Sequence, residues 1–528
     1  MRIIRLLSVL CALTLASPAL AQEDDKGFLT TKIQELLSGS GRDVNITGFK
    51  GALSSAASFD RLTIADADGV WLTMEDVVLD WNRSALLRGR LEVEELSAAR
   101  IDIPRLPKAE EDTLPDAEAT PFTFPQLPEF PVSIDVESVN IAQFALGMPL
   151  VGQAVQLQMN ARATLNDDGL GVAFKANRTD GKRGVFELTT RLSRNQDMLE
   201  TLLELSEEEG DIAATLLNIP ETPSVDLTVN TTGPLDDLVT TIKIDTDGEE
   251  RLAGEVELIT QGSAANPDRR IIADIGGDLT AVILPEYCDF FGPRVSLKVD
   301  ALIEAGGAIL IDNLDLQAAA VDLKGKLRLS EEKWPEFIDI EGTVARADGA
   351  PVLLPGGGGT TTVERIALNI DFNLQDGDAY EAVFDLTDLT TDAGNVAQTT
   401  LRSTGTMTGA KGNVGQLRGN VQFAAAGVAL LDTALAEALG SEINGTTEIN
   451  YVEDQPVRFT NLDLQGSDYS LKGNVALGSV GSGLETVLDA TLTATDLSHF
   501  SALAGRELDG STSLTLTGTV TPLSGASI

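Results

Sequence analysis

Apolar residues recur at every second position over short runs of this chain, the period of a β-strand whose two faces meet different surroundings. Leu62/Ile64, Val70/Leu72/Met74, Leu91/Val93 and Ile101/Ile103 follow it, and from Val132 onward so do Val132/Ile134/Val136, Val139/Ile141, Val225/Leu227/Val229, Leu314/Leu316 and Leu514/Leu516. The phase slips at Glu75-Asp76 and resumes with Val77, Leu79 and Trp81, which one β-bulge would return to the same face. Leu91/Val93 and Ile101/Ile103 read as two further strands before Pro104 and Pro107 end the run. Helical spacing is rare. Phe28 to Leu37 places Leu29, Ile33, Leu36 and Leu37 on one face, and Asn195 reads as the N-cap of a helix striped by Met198, Leu199, Leu202, Leu203 and Leu205. Leu430 to Leu439 offers another, and these last two are expected to plug an end of the sheet or cover it, as core packing.

The pattern repeats. Asn313 to Leu329 returns, without a gap, as Asn461 to Leu477. Leu314, Leu316, Leu327 and Leu329 have Leu462, Leu464, Val475 and Leu477 as counterparts, and Leu323-Lys324-Gly325 returns as Leu471-Lys472-Gly473. Weaker copies of the second half stand at Leu87 to Val93, Leu252 to Leu258 and Leu417 to Phe423. A repeated strand-turn-strand unit cannot bury its own apolar face, so these echoes predict one extended sheet. Function is then expected on a long surface rather than in a pocket.

Composition narrows the classes. Aromatics are 5% of the 528 residues and Gly numbers 49, which suits short strands and tight turns. The formal charge of -43 repels nucleic acid and anionic lipid headgroups, and it falls to -45 once Arg2 and Arg5 are removed. Those arginines open a leader: Leu6 to Leu15 is its apolar core, and Ala19-Leu20-Ala21 its small-x-small cleavage site. Residues 1–21 thus read as a signal peptide or signal anchor. Cys11 lies inside the leader, so Cys288 is the only mature cysteine and no disulfide framework is expected.

Candidate chemistry has a plainer structural reading in each case. His499 is the sole histidine, with no nucleophile turn nearby. Gly356 to Gly359 lacks the Lys-Ser/Thr ending of a phosphate loop and reads as a hairpin tip. Asp66-Ala67-Asp68-Gly69 and Asp245-Thr246-Asp247-Gly248 imitate part of a calcium loop without its closing glutamate, and read as turns. Cys288, beside Tyr287 and Phe290, reads as a buried small residue. No catalytic, cofactor or metal residue is assigned, and the chain is expected not to be an enzyme. A sugar-cleaving solenoid would need an aromatic platform that four Tyr and three Trp do not supply.

Asp68-Gly69-Val70-Trp71-Leu72, Leu79-Asp80-Trp81, Ala85 to Leu91 and Arg105-Leu106-Pro107 together resemble the amino-terminal region of the TamB family. These are subunits of the translocation and assembly module, within the wider AsmA-like group of Gram-negative envelope proteins. Pro285-Glu286-Tyr287 with Phe290-Phe291-Gly292, and Asp496 to Phe500 with Leu503-Ala504-Gly505, resemble the same family. The resemblance implies a mostly β fold, an elongated repetitive sheet curled into a taco-like superhelix with an apolar inner groove. The groove lining expected on this basis is Leu72, Leu79, Leu91, Val93, Leu314, Leu316, Leu327, Leu329, Leu462, Leu464, Val475 and Leu477.

The same resemblance implies a periplasmic protein, tethered to the inner membrane by its amino terminus where the leader is kept. It would act in outer-membrane biogenesis with an Omp85-type, TamA-like outer-membrane partner. Its cargo would be phospholipid acyl chains or nascent outer-membrane and autotransporter proteins, between which the sequence does not choose. Residues 22–107 are expected to form an amino-terminal helix and AsmA-like β module, 108–131 a linker rich in Pro and acid, and 132–528 the repetitive groove. Thr517 to Ile528 falls within another repeat, so the array reads as truncated at its carboxy end. The alternative is a secreted structural or adhesive β-repeat protein whose apolar face is a closed core.

Overall fold

The alternating runs become 29 strands in the computed structural model. It describes residues 43–51, 55–107, 133–263, 266–356, 360–409, 414–453, 455–478, 486–521 and 525–527. The leader, the helix expected at Phe28 to Leu37 and the segment 108–131 lie outside these residues. The chain is mostly β with a few short helices. It forms two compact units, Met1–Asn195 with Ser206–Glu208, and Gln196–Leu205 with Glu209–Ile528.

The first unit runs β1 (Asp43–Thr47), β2 (Ala56–Asp66), β3 (Gly69–Trp81), β4 (Arg90–Ile103), β5 (Ser133–Leu146), β6 (Val155–Asn166), β7 (Gly169–Arg178) and β8 (Gly184–Ser193). Sequence neighbours pair in order, antiparallel except for β4 and β5, which run parallel from Arg90 beside Ser133 to Ile103 beside Leu146. The two strands expected at Leu91/Val93 and Ile101/Ile103 are one strand of 14 residues. The break read between them is two phase slips, Val93 to Leu96 and Ala98 to Ile101, within one continuous ladder.

The slip expected at Glu75-Asp76 is present, with Asp76 at φ 49°. It is shared: Phe59 to Leu62 in β2, Ala98 to Ile101 in β4 and Ile141 to Phe144 in β5 step by three residues at the same level. Because adjacent strands slip together, their register survives, and β6 absorbs the extra residue. Val77, Ala98 and Ile101 are thereby buried in one cluster with Phe59, Leu72, Met74 and Phe144.

The second unit begins with β9 (Met198–Glu207), β10 (Val225–Pro234), β11 (Asp237–Thr246), β12 (Glu249–Ser263) and β13 (Asn266–Gly277). It continues through β14 (Val295–Ile303), β15 (Ile309–Gln317), β16 (Val321–Leu329), β17 (Pro335–Ala345) and a short hairpin of β18 (Val352–Leu353) and β19 (Thr362–Val363). Then come β20 (Arg365–Asn373), β21 (Ala379–Thr391), β22 (Gly394–Thr408), β23 (Gln416–Leu430), β24 (Glu442–Val452) and β25 (Val457–Gln465). Last are β26 (Tyr469–Leu477), β27 (Thr486–Ala494), β28 (Thr512–Thr521) and β29 (Gly525–Ser527). From β10 onward the long strands pair antiparallel in chain order, β17 reaching β20 past the hairpin, whose β19 meets β21.

The helix expected after Asn195 is strand β9. Leu199, Thr201, Leu203 and Leu205 alternate with exposed Glu200, Leu202, Glu204 and Ser206. A ten-residue helix is marginal in water, whereas pairing with β10 gives this segment ladder partners as a strand. The helix expected over Leu430 to Leu439 forms at Thr433–Leu439, where Asp432 accepts hydrogen bonds from the Ala434 and Leu435 amides. Leu430 itself ends β23.

The spacing of the helices in this unit is regular. Successive strands are antiparallel, so every second connection falls on the same rim of the sheet. On one rim those connections alternate between a tight turn and a larger insertion: the helix Ile212–Leu216, the helical turns Leu279–Phe291, the β18–β19 hairpin, the helix Thr433–Leu439 and the turns Ser498–Ala504. Each pair of insertions brackets four strands of sheet. The four four-strand modules begin at Val225, Val295, Arg365 and Glu442, and the strand after the last insertion at Thr512, 70, 70, 77 and 70 residues apart. The sequence echo from Asn313 to Asn461 is therefore a step of two modules. Both copies make the same hairpin, with Leu314 facing Gly325 and Leu462 facing Gly473, and the same register shift one residue earlier.

Candidate functional site: the apolar face of the second unit

Residues in register across a sheet share a face, and register here brings one unbroken row together. From β10 it passes through Val229, Ile242, Gly254, Ile275, Leu297, Leu316 and Leu323. It goes on through Gly342, Leu368, Phe384, Leu401, Phe423, Gly445, Leu464, Leu471 and Leu492 to Leu514 in β28. Every member is apolar or glycine. At ~4.8 Å per strand the row measures roughly 75 Å along the sheet. A second row runs beside it from Leu238 through Leu258, Ile271, Ala301, Ile311, Leu327 and Ile338 to Phe372.

The opposite face carries the polar counterpart. Glu255, Asp274, Lys298, Asp315, Lys324 and Glu341 stand in register, mixing charge signs along the sheet. Lys298 Nζ lies 2.9 Å from Asp274 and Lys472 Nζ 2.8 Å from Asp463. Hydrogen bonds from Lys472 and Gln465 hold the Asp463 carboxyl below its usual pKa, outweighing a smaller effect of burial.

Burial separates the middle of the apolar face from its margins. Not one Val, Leu, Ile or Phe of β12 to β17 is buried; all are half-buried, as is the whole central row apart from exposed Leu514. A layer packed over this face would take such side chains close to zero exposure, as happens to Phe372 (0%). The buried clusters lie at the rims. Ala320, Val352 and Val363 form one with Phe290 on the rim that carries the insertions, and Ala214, Ile219 and Val225 another. Phe372, Tyr380 and Met407 form a third on the opposite rim, under Trp334, whose ring stacks on Tyr451 at 6.2 Å.

Glycines on the apolar face sit where the next strand comes close. A Cβ on Gly405 would stand 2.0 Å from the Arg418 carbonyl oxygen, on Gly473 2.2 Å from that of Asp489, and on Gly254 2.4 Å from that of Asp274. Strand glycines in such contacts mark bends that no larger residue allows. This explains the Leu-Lys-Gly element of the echo: its glycine is required by backbone approach.

The expected lining residues divide between the units. Leu72 faces Ile64, Leu79 faces Leu96, and Leu91 and Val93 face Ile134 and Val136 in the first unit. Leu316 and Leu464 belong to the central row of the second unit, with Leu314, Leu327, Leu329, Leu462, Val475 and Leu477 in flanking rows on the same face. Eleven of the twelve are half-buried and Val93 is buried. Sequence reading missed most of the central row, including Ile275, Leu297, Leu368, Phe384, Leu401 and Leu492. Counting alternate positions back from each turn would have found them.

The remaining candidates serve structure. Asp66 accepts from the Asp68 amide and from both terminal nitrogens of Arg105, which also donates to the Gly69 carbonyl at 2.7 Å. The motifs Asp68-Gly69 and Arg105-Leu106-Pro107 are thus two halves of one clamp. The Asp247 carboxylate accepts from the amide and hydroxyl of Ser224. His499 Nε2 lies 3.1 Å from Asp468, and the Cys288 thiol donates to the Thr280 carbonyl at 3.4 Å. No group of His, Cys, Asp or Glu arranged to hold a metal ion occurs among the described residues.

No protein-family model matches the chain, and no curated protein or solved structure is similar to it.

Proposed function

We propose that this protein is a TamB-like, AsmA-like periplasmic subunit acting in outer-membrane biogenesis, its second unit curling into a taco-like groove that carries apolar cargo. The uncovered apolar row from Val229 to Leu514 is the observation that carries this reading. Half-burial without a covering layer fits a lining that waits for a ligand, and disfavours the alternative of a closed structural core. The glycines at 254, 405 and 473 fit curling toward that face, since they let neighbouring backbones approach.

The row has no polar site, and an acyl chain needs none. Each buried methylene contributes ~0.8 kcal/mol, so a full chain would be held firmly by contact alone. The same surface suits the alternating side chains of a nascent outer-membrane strand. An Omp85-type, TamA-like partner in the outer membrane completes the proposal, and the leader read from the sequence supports a periplasmic location, tethered to the inner membrane where it is kept.

Mass spectrometry of lipids extracted from the protein purified from a bacterial envelope tests the proposal, with Leu316→Asp beside the parent. A carboxylate in the central row makes acyl burial there costly. The expected result is phospholipid retained by the parent and lost by the variant, with unchanged circular dichroism. A well-folded parent without lipid would remove the lipid reading and leave protein assembly as the cargo.

A further inference from the structure

The insertions on one rim of the second unit carry a feature the groove does not use. Leu216 and Leu217, Leu284, Leu431 and Leu435, and Leu503 are exposed, from 39% at Leu435 to 74% at Leu431. All six belong to helical connections of that rim or stand beside their helices. Among the described residues the opposite rim exposes Leu235 and Val414. Because insertions recur every four strands, the leucine stations are spaced by multiples of ~19 Å along the sheet.

Each of these connections also carries an exposed carboxylate within four residues of its leucine: Glu221 after Leu217, Glu286 after Leu284, Glu437 after Leu435 and Glu507 after Leu503. The connections 208–224 and 431–441 contain no Lys or Arg, whereas 278–294 holds exposed Arg294 and 495–511 exposed Arg506. Two such rims would repel one another, and an anionic lipid surface would be repelled as well. An apolar contact framed by negative charge is complementary to an apolar contact framed by positive charge.

We infer that this rim is a multivalent docking edge for a basic amphipathic segment of a partner protein, its apolar side chains seated on the leucine stations and its Lys or Arg on the flanking carboxylates. Each station is small and individually weak; several in a row act together on one extended or repeated partner, which raises avidity without a large single interface. The inference stands whether the groove carries lipid or protein.

Fluorescence anisotropy of a labelled leucine-lysine amphipathic peptide with the full chain tests it. The comparison is with a variant combining Leu217→Ser, Leu284→Ser, Leu435→Ser and Leu503→Ser, and with Leu235→Ser at the opposite rim. The expected result is binding weakened on the order of tenfold or more by the rim variant, unchanged by Leu235→Ser, and reduced by salt. Should the combined variant lose its circular dichroism, Glu221→Gln, Glu286→Gln and Glu437→Gln together replace it, with the same weakening expected. Equal binding by parent and rim variants would overturn the inference. So would leucine-dependent flotation with zwitterionic phospholipid vesicles in place of peptide binding, which would make the edge a membrane contact. Retention of extracted lipid by the rim variants separates failure here from failure of the groove.

Discussion

Arg105 and Asp66 show how a residue signature acquires its meaning from packing. The arginine reaches across 39 positions to fork onto Asp66 and hold the Gly69 carbonyl, so it fixes the β2–β3 turn to the end of β4. Hydrogen bonding to Asp66 raises the guanidinium further above its usual range, outweighing the opposing effect of burial. Arg178 and Asp180 form a second such pair, 2.7 Å apart and side chains 3% and 17% exposed. Burial alone would raise the Asp180 carboxyl, but Arg178 and the Gln156 amide outweigh it and the pKa falls. A carboxyl depressed in the folded state stabilises the protein above its unfolded pKa and stops doing so as pH falls through the folded one. Asp180→Asn is therefore expected to lower stability at neutral pH by about 1 kcal/mol, with the gap closing below roughly pH 4. Denaturant titrations across that range check it, and a gap unchanged at acid pH would contradict the charge assignment. At this scale the sequence showed the Glu75-Asp76 slip, because apolar phase is visible in one strand. The matching slips in β2, β4 and β5 were hidden, because each looks like a strand end until its neighbour is known.

Elements of the second unit owe their regularity to rim chemistry as much as to the strands. The alternation of apolar and polar residues made the strands legible one by one, and the echo at Asn313 and Asn461 exposed two copies of one hairpin. The four-strand module was not legible, since its boundaries are set by dissimilar insertions and only its backbone spacing repeats. The same cause hid β9: Met198 to Leu205 has leucines at both helical and strand spacing, and the open edge of β10 decides between them. Glycine positions make the sharpest element-level test. Gly405 packs against Gly419 so closely that a Cβ would lie 2.4 Å from its Cα. Gly405→Ala is expected to destabilise the protein by about 1–3 kcal/mol through strand displacement, measured as a lowered urea midpoint. A neutral change would show that the sheet is not bent there.

The second unit gathers its polar residues on one face and its apolar residues on the other, and its buried apolar clusters lie at the rims. That distribution is why no pocket, metal cluster or catalytic constellation emerged from the sequence, and why an extended apolar surface did. Alternation counted from each turn reaches the central row, but the rows beyond the bulges need register, since a shift such as that between Ile311 and Leu314 moves them by one position in the chain. Photo-crosslinking in a bacterial envelope tests the open face most directly, with a benzophenone side chain placed at Leu316 in the apolar row or at Lys324 in the polar one. Phospholipid or outer-membrane protein adducts are expected from position 316 and none from 324. Equal labelling from both faces, or adducts from 324 alone, would contradict it.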